Sequence, residues 1–225
     1  EIHDKHLLDV SKTNSIIIVE KPIISLLKFK NKYFYFLKKI FKTNQKIVVC
    51  YPYLFLAKSF KKFCGSVKKI QKIDFEFQTG GNATYKNICI NLMPHALSFF
   101  HIFFNENFLK ANIKKTNLLV KKDVWQTSFK IGKVEFNLVF KENFQKKTSL
   151  KLTTNELVLT RKTKMNKGKF INYIHNSRTN KNKEINNPMT EFYKDFMRNL
   201  NNKKYFQNNR NLTFKMMKKN NFFLN

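Results

Sequence analysis

Two short runs near the start of the chain, Ile16-Ile17-Ile18-Val19 and Ile47-Val48-Val49-Cys50, are apolar at successive positions instead of alternating. β-Branched runs of this kind predict strands buried on both faces, as in a parallel sheet. Between them Ile23, Leu26, Leu27, Phe34, Leu37 and Phe41 recur at three- and four-residue steps and share one helix face. Lys28, Lys32, Lys38 and Lys39 fall mostly off that face. Pro52 cannot extend a strand ladder but suits a helix start; Leu56, Phe60 and Phe63 then repeat as an apolar stripe, and Gly65 fits the helix end. Residues 15–63 therefore predict a βαβα unit, which implies a parallel sheet covered by helices.

Further on, Ile70, Ile73, Phe75 and Phe77 suit a third strand, followed by the Gly80-Gly81 pair. A glycine pair allows tight turns and close backbone approach, and its amides can hold a phosphate. Residues 95–104 read as a buried strand, 108–112 as a short helical piece and 117–120 as a further strand. Val124-Trp125 and residues 129–140 alternate like a strand pair around Gly132. The segment 161–187 is rich in Lys, Asn and Arg with almost no apolar pattern, as expected of chain that stays disordered unless bound. Asn187-Pro188 suits the start of a helix over 189–200 that places Phe192, Phe196 and Leu200 on one face. The predicted organisation is an α/β domain over residues 1–150 and a basic, Asn/Lys-rich extension over 151–225.

Charge adds a direction. The 225 residues hold 44 Lys and Arg against 14 Asp and Glu, a formal net charge of +30. That much self-repulsion is relieved by a polyanion, with nucleic acid the first candidate and an anionic membrane surface the second. Phe, Ile, Lys and Asn, the residues of AT-rich codons, are abundant, which suggests an organellar genome. The chain starts at Glu1, and no cationic, apolar signal peptide is visible. No apolar stretch approaches the roughly 18 residues that a spanning helix needs, so no transmembrane helix is expected; nucleic acid is the preferred polyanion, and no membrane is counted among the expected partners.

Catalytic and metal patterns are missing. Cys50, Cys64 and Cys89 lack pairing or ligand spacing, and His3 and His6 stand without Cys or carboxylate partners. No G-x-S-x-G elbow, Walker motif or G-x-G-x-x-G occurs. Asp74 and Glu76 flank Phe75 and point the same way from a strand, a pattern that suits a solvated face beside lysines better than a metal site. The expectation is no catalytic residue, no metal, no cofactor and no small-molecule substrate.

The order of the pieces Ile16-Ile-Ile-Val-Glu-Lys-Pro22, Ile47-Val-Val-Cys-Tyr51, Ala57, Gly80-Gly-Asn-Ala-Thr84, Tyr85-Lys-Asn-Ile88 and Met93-Pro94 resembles ribosomal small-subunit protein 2 of the bacterial and organellar type. The resemblance covers about the first 125 residues and is strongest to Ile88. It implies a flavodoxin-like parallel sheet flanked by helices, with an extended basic C-terminal tail. It also implies a non-catalytic constituent of the mitochondrial small ribosomal subunit, located in the matrix and bound to ribosomal RNA and neighbouring ribosomal proteins. The alternatives are another organellar ribosomal protein or assembly factor, or an organelle-encoded nucleic-acid-processing enzyme. The expected RNA contacts are Lys58, Lys61, Lys62, Lys68, Lys69, Gly80, Gly81, Lys86, Arg161, Lys162, Lys164, Lys167, Lys169 and Arg178.

Overall fold

In the computed structural model the described residues are 2–24, 32–65, 70–104, 107–145, 147–166 and 169–224. The expected βαβα unit is present. Helix α1 (Ile2–Ser11) leads into β1 (Ile17–Glu20), followed by α2 (Tyr33–Thr43), β2 (Ile47–Cys50) and α3 (Tyr53–Cys64). β1 and β2 pair in parallel, Ile17 opposite Ile47 through Glu20 opposite Cys50. Every residue of β2 is buried, as its unbroken β-branched run requires. Helix α2 turns Leu37, Ile40 and Phe41 inward; the expected Leu26 and Leu27 lie outside the described residues. α3 starts after Pro52 and stops at Gly65, whose φ of 69° is a conformation that glycine adopts without strain and whose N–H closes onto the Lys61 carbonyl at 3.0 Å.

A larger sheet follows. It is built from β3 (Lys72–Thr79), β4 (Lys114–Val120), β5 (Val124–Ile131), β6 (Val134–Glu142), β7 (Ser149–Thr154), β8 (Val158–Asn166), β9 (Lys169–Asn176) and β10 (Lys181–Ile185). Its strand order is β10-β9-β8-β7-β3-β6-β5-β4. β3 runs parallel to β6, and the other pairings in this sheet are antiparallel. The α/β class with helices against a sheet holds, but the sheet is mixed, so the purely parallel, flavodoxin-like arrangement does not.

Helix α4 (Lys86–Phe103) crosses the inner face, followed by the short α5 (Asn107–Lys110). Residues 95–104, expected as a strand, lie mostly in α4. An apolar run without polar interruption carries no period, and here the helix is buried on nearly all sides, between the sheet, α3 and the C-terminal helix. Phe75 from the sheet meets Phe99 and Phe100 of α4 at ring separations of 5.5 and 4.8 Å. Phe129 and Phe136 stack at 4.9 Å on adjacent strands. The chain closes with α6 (Pro188–Arg198) and α7 (Lys203–Leu224). The Asn187 side chain caps α6 by accepting the Met189 N–H at 2.9 Å, as the Asn-Pro pair predicts. α7 brings Phe223 onto Phe129 and Trp125, at 5.1 and 6.3 Å.

The extended, disordered tail is a second correction. Residues 161–185 complete an antiparallel meander, and the domain boundary expected at 150 falls inside β7, which pairs with the central β3. The strand period is there but written in polar residues. On β9 the inward positions are Asn172, Ile174 and Asn176, all buried, so only one of three is apolar. On β8 Lys162 and Lys164 face out.

Candidate active site

The elements converge at the carboxyl ends of the parallel strands, where open α/β sheets place their ligands. β1 ends at Glu20, and Lys21 follows. β2 ends at Cys50, and Tyr53 opens α3. β3 and β6 end at Thr79 and Glu142. Helix α4 passes over this edge with Asn91 and His95.

Lys21 donates from Nζ to the Asn91 carbonyl at 2.7 Å. Burial lowers its ammonium pKa to about 8, with the charges of Glu20 and Glu142 pulling partly back. Glu142 is itself buried. Its Oε2 accepts the Ala83 N–H at 2.8 Å and its Oε1 accepts from the Asn91 side chain at 3.4 Å. Asn91 thus joins Lys21 to the Glu142 carboxylate.

His95 packs beside them. Its ring lies 4.3 Å from the Tyr53 ring and meets the edge of Phe77 at 5.5 Å. Burial, then the positive charges of Lys21 and Arg161, hold the imidazole well below its ordinary 6.5. It is therefore neutral at pH 7, with one nitrogen to donate and one to accept. In the unfolded chain the same group takes up a proton near 6.5, so stability is lost as pH falls through that value. Thermal unfolding between pH 7.5 and 5.5 should show this loss, and His95→Gln should flatten it. Tyr53 is pushed up to about 12 by burial, partly offset by the positive charge of Arg161.

Gly81 is the tight point of the site. A Cβ built there would overlap the Glu142 carboxylate, lying within 2.8 Å of its Cδ. Gly81→Ala should displace Glu142 from Ala83 and Asn91, at a stability cost of about 1–3 kcal/mol. A urea unfolding midpoint measures it; an unchanged midpoint means that the carboxylate moves freely.

The residues expected to contact RNA do not form one surface. Lys58, Lys61 and Lys62 are exposed on α3; Lys58 Nζ sits 4.7 Å over the Phe55 ring and Lys61 reaches the Ile102 carbonyl at 3.4 Å. Gly80 is exposed in the turn after β3, Gly81 packs on Glu142, and Lys86 is exposed at the start of α4. Lys162 and Lys164 lie on the outer face of the sheet, whereas Arg161, one residue before Lys162, points inward. Arg178 holds the Asn155 carbonyl at 2.7 Å. Lys169 belongs to β9, and Lys68, Lys69 and Lys167 lie outside the described residues. Asp74 and Glu76 point outward and pair with Lys72 and Lys141 at 3.6 and 2.6 Å.

Sequence reasoning missed Lys21, Asn91, His95 and Glu142. Lys21 offered one signal, a charge at the carboxyl end of a buried strand; His95 was hidden within an apolar run.

No protein-family profile matches the sequence, and no curated protein is similar to it. Solved structures do match. A dehydrogenase, MviM, from Clostridium difficile aligns with a TM-score of 0.63 at 10% identity, over 98% of this chain and 74% of that one. The 3-ketoreductase KijD10 from Actinomadura kijaniata, solved with NADP and TDP-benzene, aligns with a TM-score of 0.64 at 8% identity, over 96% of this chain and 71% of that one. The oxidoreductase yvaA from Bacillus subtilis gives 0.57 at 10% identity, over 97% and 76%.

These neighbours overturn the resemblance to ribosomal small-subunit protein 2, and with it the non-catalytic ribosomal role and the RNA and ribosomal-protein partners. The physical reason is plain in the fold: the short βαβα order is common to many α/β proteins, whereas the mixed sheet that follows is not the parallel sheet the resemblance implied. At this identity the likeness establishes a shared fold, and the chain has the fold of these oxidoreductases.

Proposed function

We propose that the chain carries the proton-transfer site of an oxidoreductase that interconverts a hydroxyl and a carbonyl group on a small molecule. The observation that carries this reading is Lys21, an ammonium brought down to about 8 beside a neutral, half-buried His95 at the carboxyl ends of parallel strands. Strongly perturbed groups gathered in one cleft mark functional sites more often than structural ones. A proton donor with a pKa near the working pH is the efficient choice for general acid–base work.

In the reducing direction Lys21 gives its proton to the substrate carbonyl oxygen; in the oxidising direction the free amine takes the hydroxyl proton. His95 holds the same oxygen through a ring nitrogen. Asn91 and Glu142 keep the ammonium aimed, and Tyr53 and Phe77 exclude water from one side of the imidazole. A nicotinamide cofactor, as in the ketoreductase solved with NADP, would supply or accept the hydride. The strand ends around Lys21 suit the reacting end of such a cofactor. No G-x-G-x-x-G turn occurs in the sequence, so no residue is assigned to its pyrophosphate.

The test combines two measurements. Amine acylation of Lys21, followed by mass spectrometry against pH, should show an inflection near 8 instead of the ordinary 10.5. NAD(H)- and NADP(H)-linked turnover of a panel of polyols, hydroxy acids and sugar nucleotides should appear at 340 nm and fall by about 10²-fold or more in His95→Ala. An ordinary lysine titration together with no turnover would sink the reading.

A further inference from the structure

Across the inner face of the large sheet one row of side chains stands in register: Trp125, Phe140, Phe77, Leu150, Arg161 and Ile174. Arg161 is the charged member of an otherwise apolar row. A guanidinium does not shed its proton in a protein, so the charge stays wherever the backbone places it. Its partners here are neutral. Nη2 donates to Asn172 Oδ1 at 3.0 Å, and Thr163 donates to that same oxygen at 3.0 Å, which fixes it. The charge of Arg161 also acts on the neighbouring Tyr53 hydroxyl. Nε is buried and has no hydrogen-bond partner. Among the described residues no ion pair joins Arg161 to a carboxylate. The carboxylate in the site, Glu142, is engaged on the other side by Ala83 and Asn91.

Arg161 is half-buried, and a cation in that setting with a buried, unpartnered Nε–H and no counter-charge carries a cost that an anion relieves. The planar fork of arginine matches a carboxylate or a phosphate through two parallel hydrogen bonds. Arg161 stands in the same inward row as Phe77, whose ring meets His95, and its positive charge acts on that imidazole, so the guanidinium lies on the same face of the sheet as the proton-transfer pair. We infer that Arg161 is the substrate anchor: the molecule on which Lys21 and His95 act carries an oxyanion, a carboxylate or phosphate, that binds the Arg161 guanidinium. This rests on the proton-transfer reading of Lys21 and His95 and adds the class of substrate. A neutral polyol would leave the guanidinium as it is now, which makes the anchor a source of selectivity as well as affinity.

Calorimetric binding of three probes of similar size tests it: tartronate, glycerol 3-phosphate and glycerol. One of the two anions should bind at least about tenfold more tightly than glycerol, and which one does so separates a carboxylate from a phosphate substrate. Arg161→Gln should cost that anion about 10²-fold in affinity, and Arg161→Lys, which keeps the charge and loses the fork, about tenfold. Equal binding of all three probes overturns the inference. So does unchanged anion affinity in either variant; Arg161→Lys serves if Arg161→Gln does not fold. The two readings fail separately. If Lys21→Met turns over normally while the anion still needs Arg161, the proton-transfer reading fails and the anchor stands. If turnover needs Lys21 but anionic substrates bind and react as well in Arg161→Lys as in the native chain, the anchor fails alone.

Discussion

Lys21→Met is expected to lose about 10²-fold or more in turnover and yet to unfold at a higher temperature than the native chain. Both effects have one origin. The ammonium is held out of water with only partial compensation, so its pKa drops from 10.5 to about 8. A change of that size corresponds to a penalty of about 3 kcal/mol at neutral pH. Methionine matches the length and volume of the stem without the charge. It also gives up the hydrogen bond to the Asn91 carbonyl, so the net gain should be smaller, about 1–2 kcal/mol, or about 2–8 °C for a chain of this size. The pH dependence identifies the cause. Above about 10.5 the lysine is neutral in both folded and unfolded chains, and the penalty is gone. Between 10.5 and 8 the unfolded chain binds the proton first, so native stability falls as the pH drops, and below 8 the penalty is complete. The advantage of the variant should therefore be full at pH 7 and vanish above pH 10.5. A variant destabilised at both pH values would show that Lys21 serves the fold, not chemistry.

Phe100→Ala should be among the most damaging single changes in the chain, at about 3–5 kcal/mol. Phe100 is fully buried, and its ring lies 4.8 Å from Phe75, 5.0 Å from Phe108, 5.5 Å from Phe104, 5.9 Å from Phe136 and 6.0 Å from Phe99. These rings hold α4 and α5 onto β3 and β6. Alongside them runs an apolar cavity of about 540 Å³ lined in part by Phe103, Phe104, Phe108 and Phe136. Removing a ring beside this pocket enlarges it, and the cost of such truncations grows with the space that cannot close. The urea midpoint should drop with an unchanged slope. Phe144→Ala is the control. Phe144 is 84% exposed, and its loss should stay within about 0.5 kcal/mol. Similar losses at both positions would mean that the aromatic cluster contributes nothing beyond composition.

Where the chain spells its own period, the sequence could be read. The runs at β1 and β2, the stripe of α3 with Pro52 and Gly65 at its ends, the hairpin around Gly132 and the Asn187 cap all follow from local rules. Two stretches could not be read. α4 is apolar at nearly every position because it is buried on nearly every side, and such a run has no period to detect. β9 alternates correctly, but with asparagines in two of three inward places. The site was harder still. Lys21, Asn91, His95, Glu142 and Arg161 are far apart along the chain and meet only when the strand ends and α4 are assembled, and in the sequence Lys21 is one basic residue among 44. The ribosomal resemblance drew on the order of elements that many α/β proteins share; the register of the later strands, which would have opposed it, is a property of the folded sheet.

An open sheet leaves two outermost strands whose free backbone groups invite another chain to add on. Here those strands are β4 and β10. β4 carries Leu118 and Leu119, each 40% exposed, a sticky pair for an outermost strand. It is broken by a bulge between Lys115 and Asn117 and bracketed by exposed Lys114, Lys121 and Lys122. β10 begins at exposed Lys181. A second copy approaching β4 meets the exposed Lys114, Lys121 and Lys122 before it can form a ladder. These edge lysines act as a colloidal guard, and the guard is only as long as the Debye length, about 8 Å at physiological ionic strength and about 3 Å at 1 M salt.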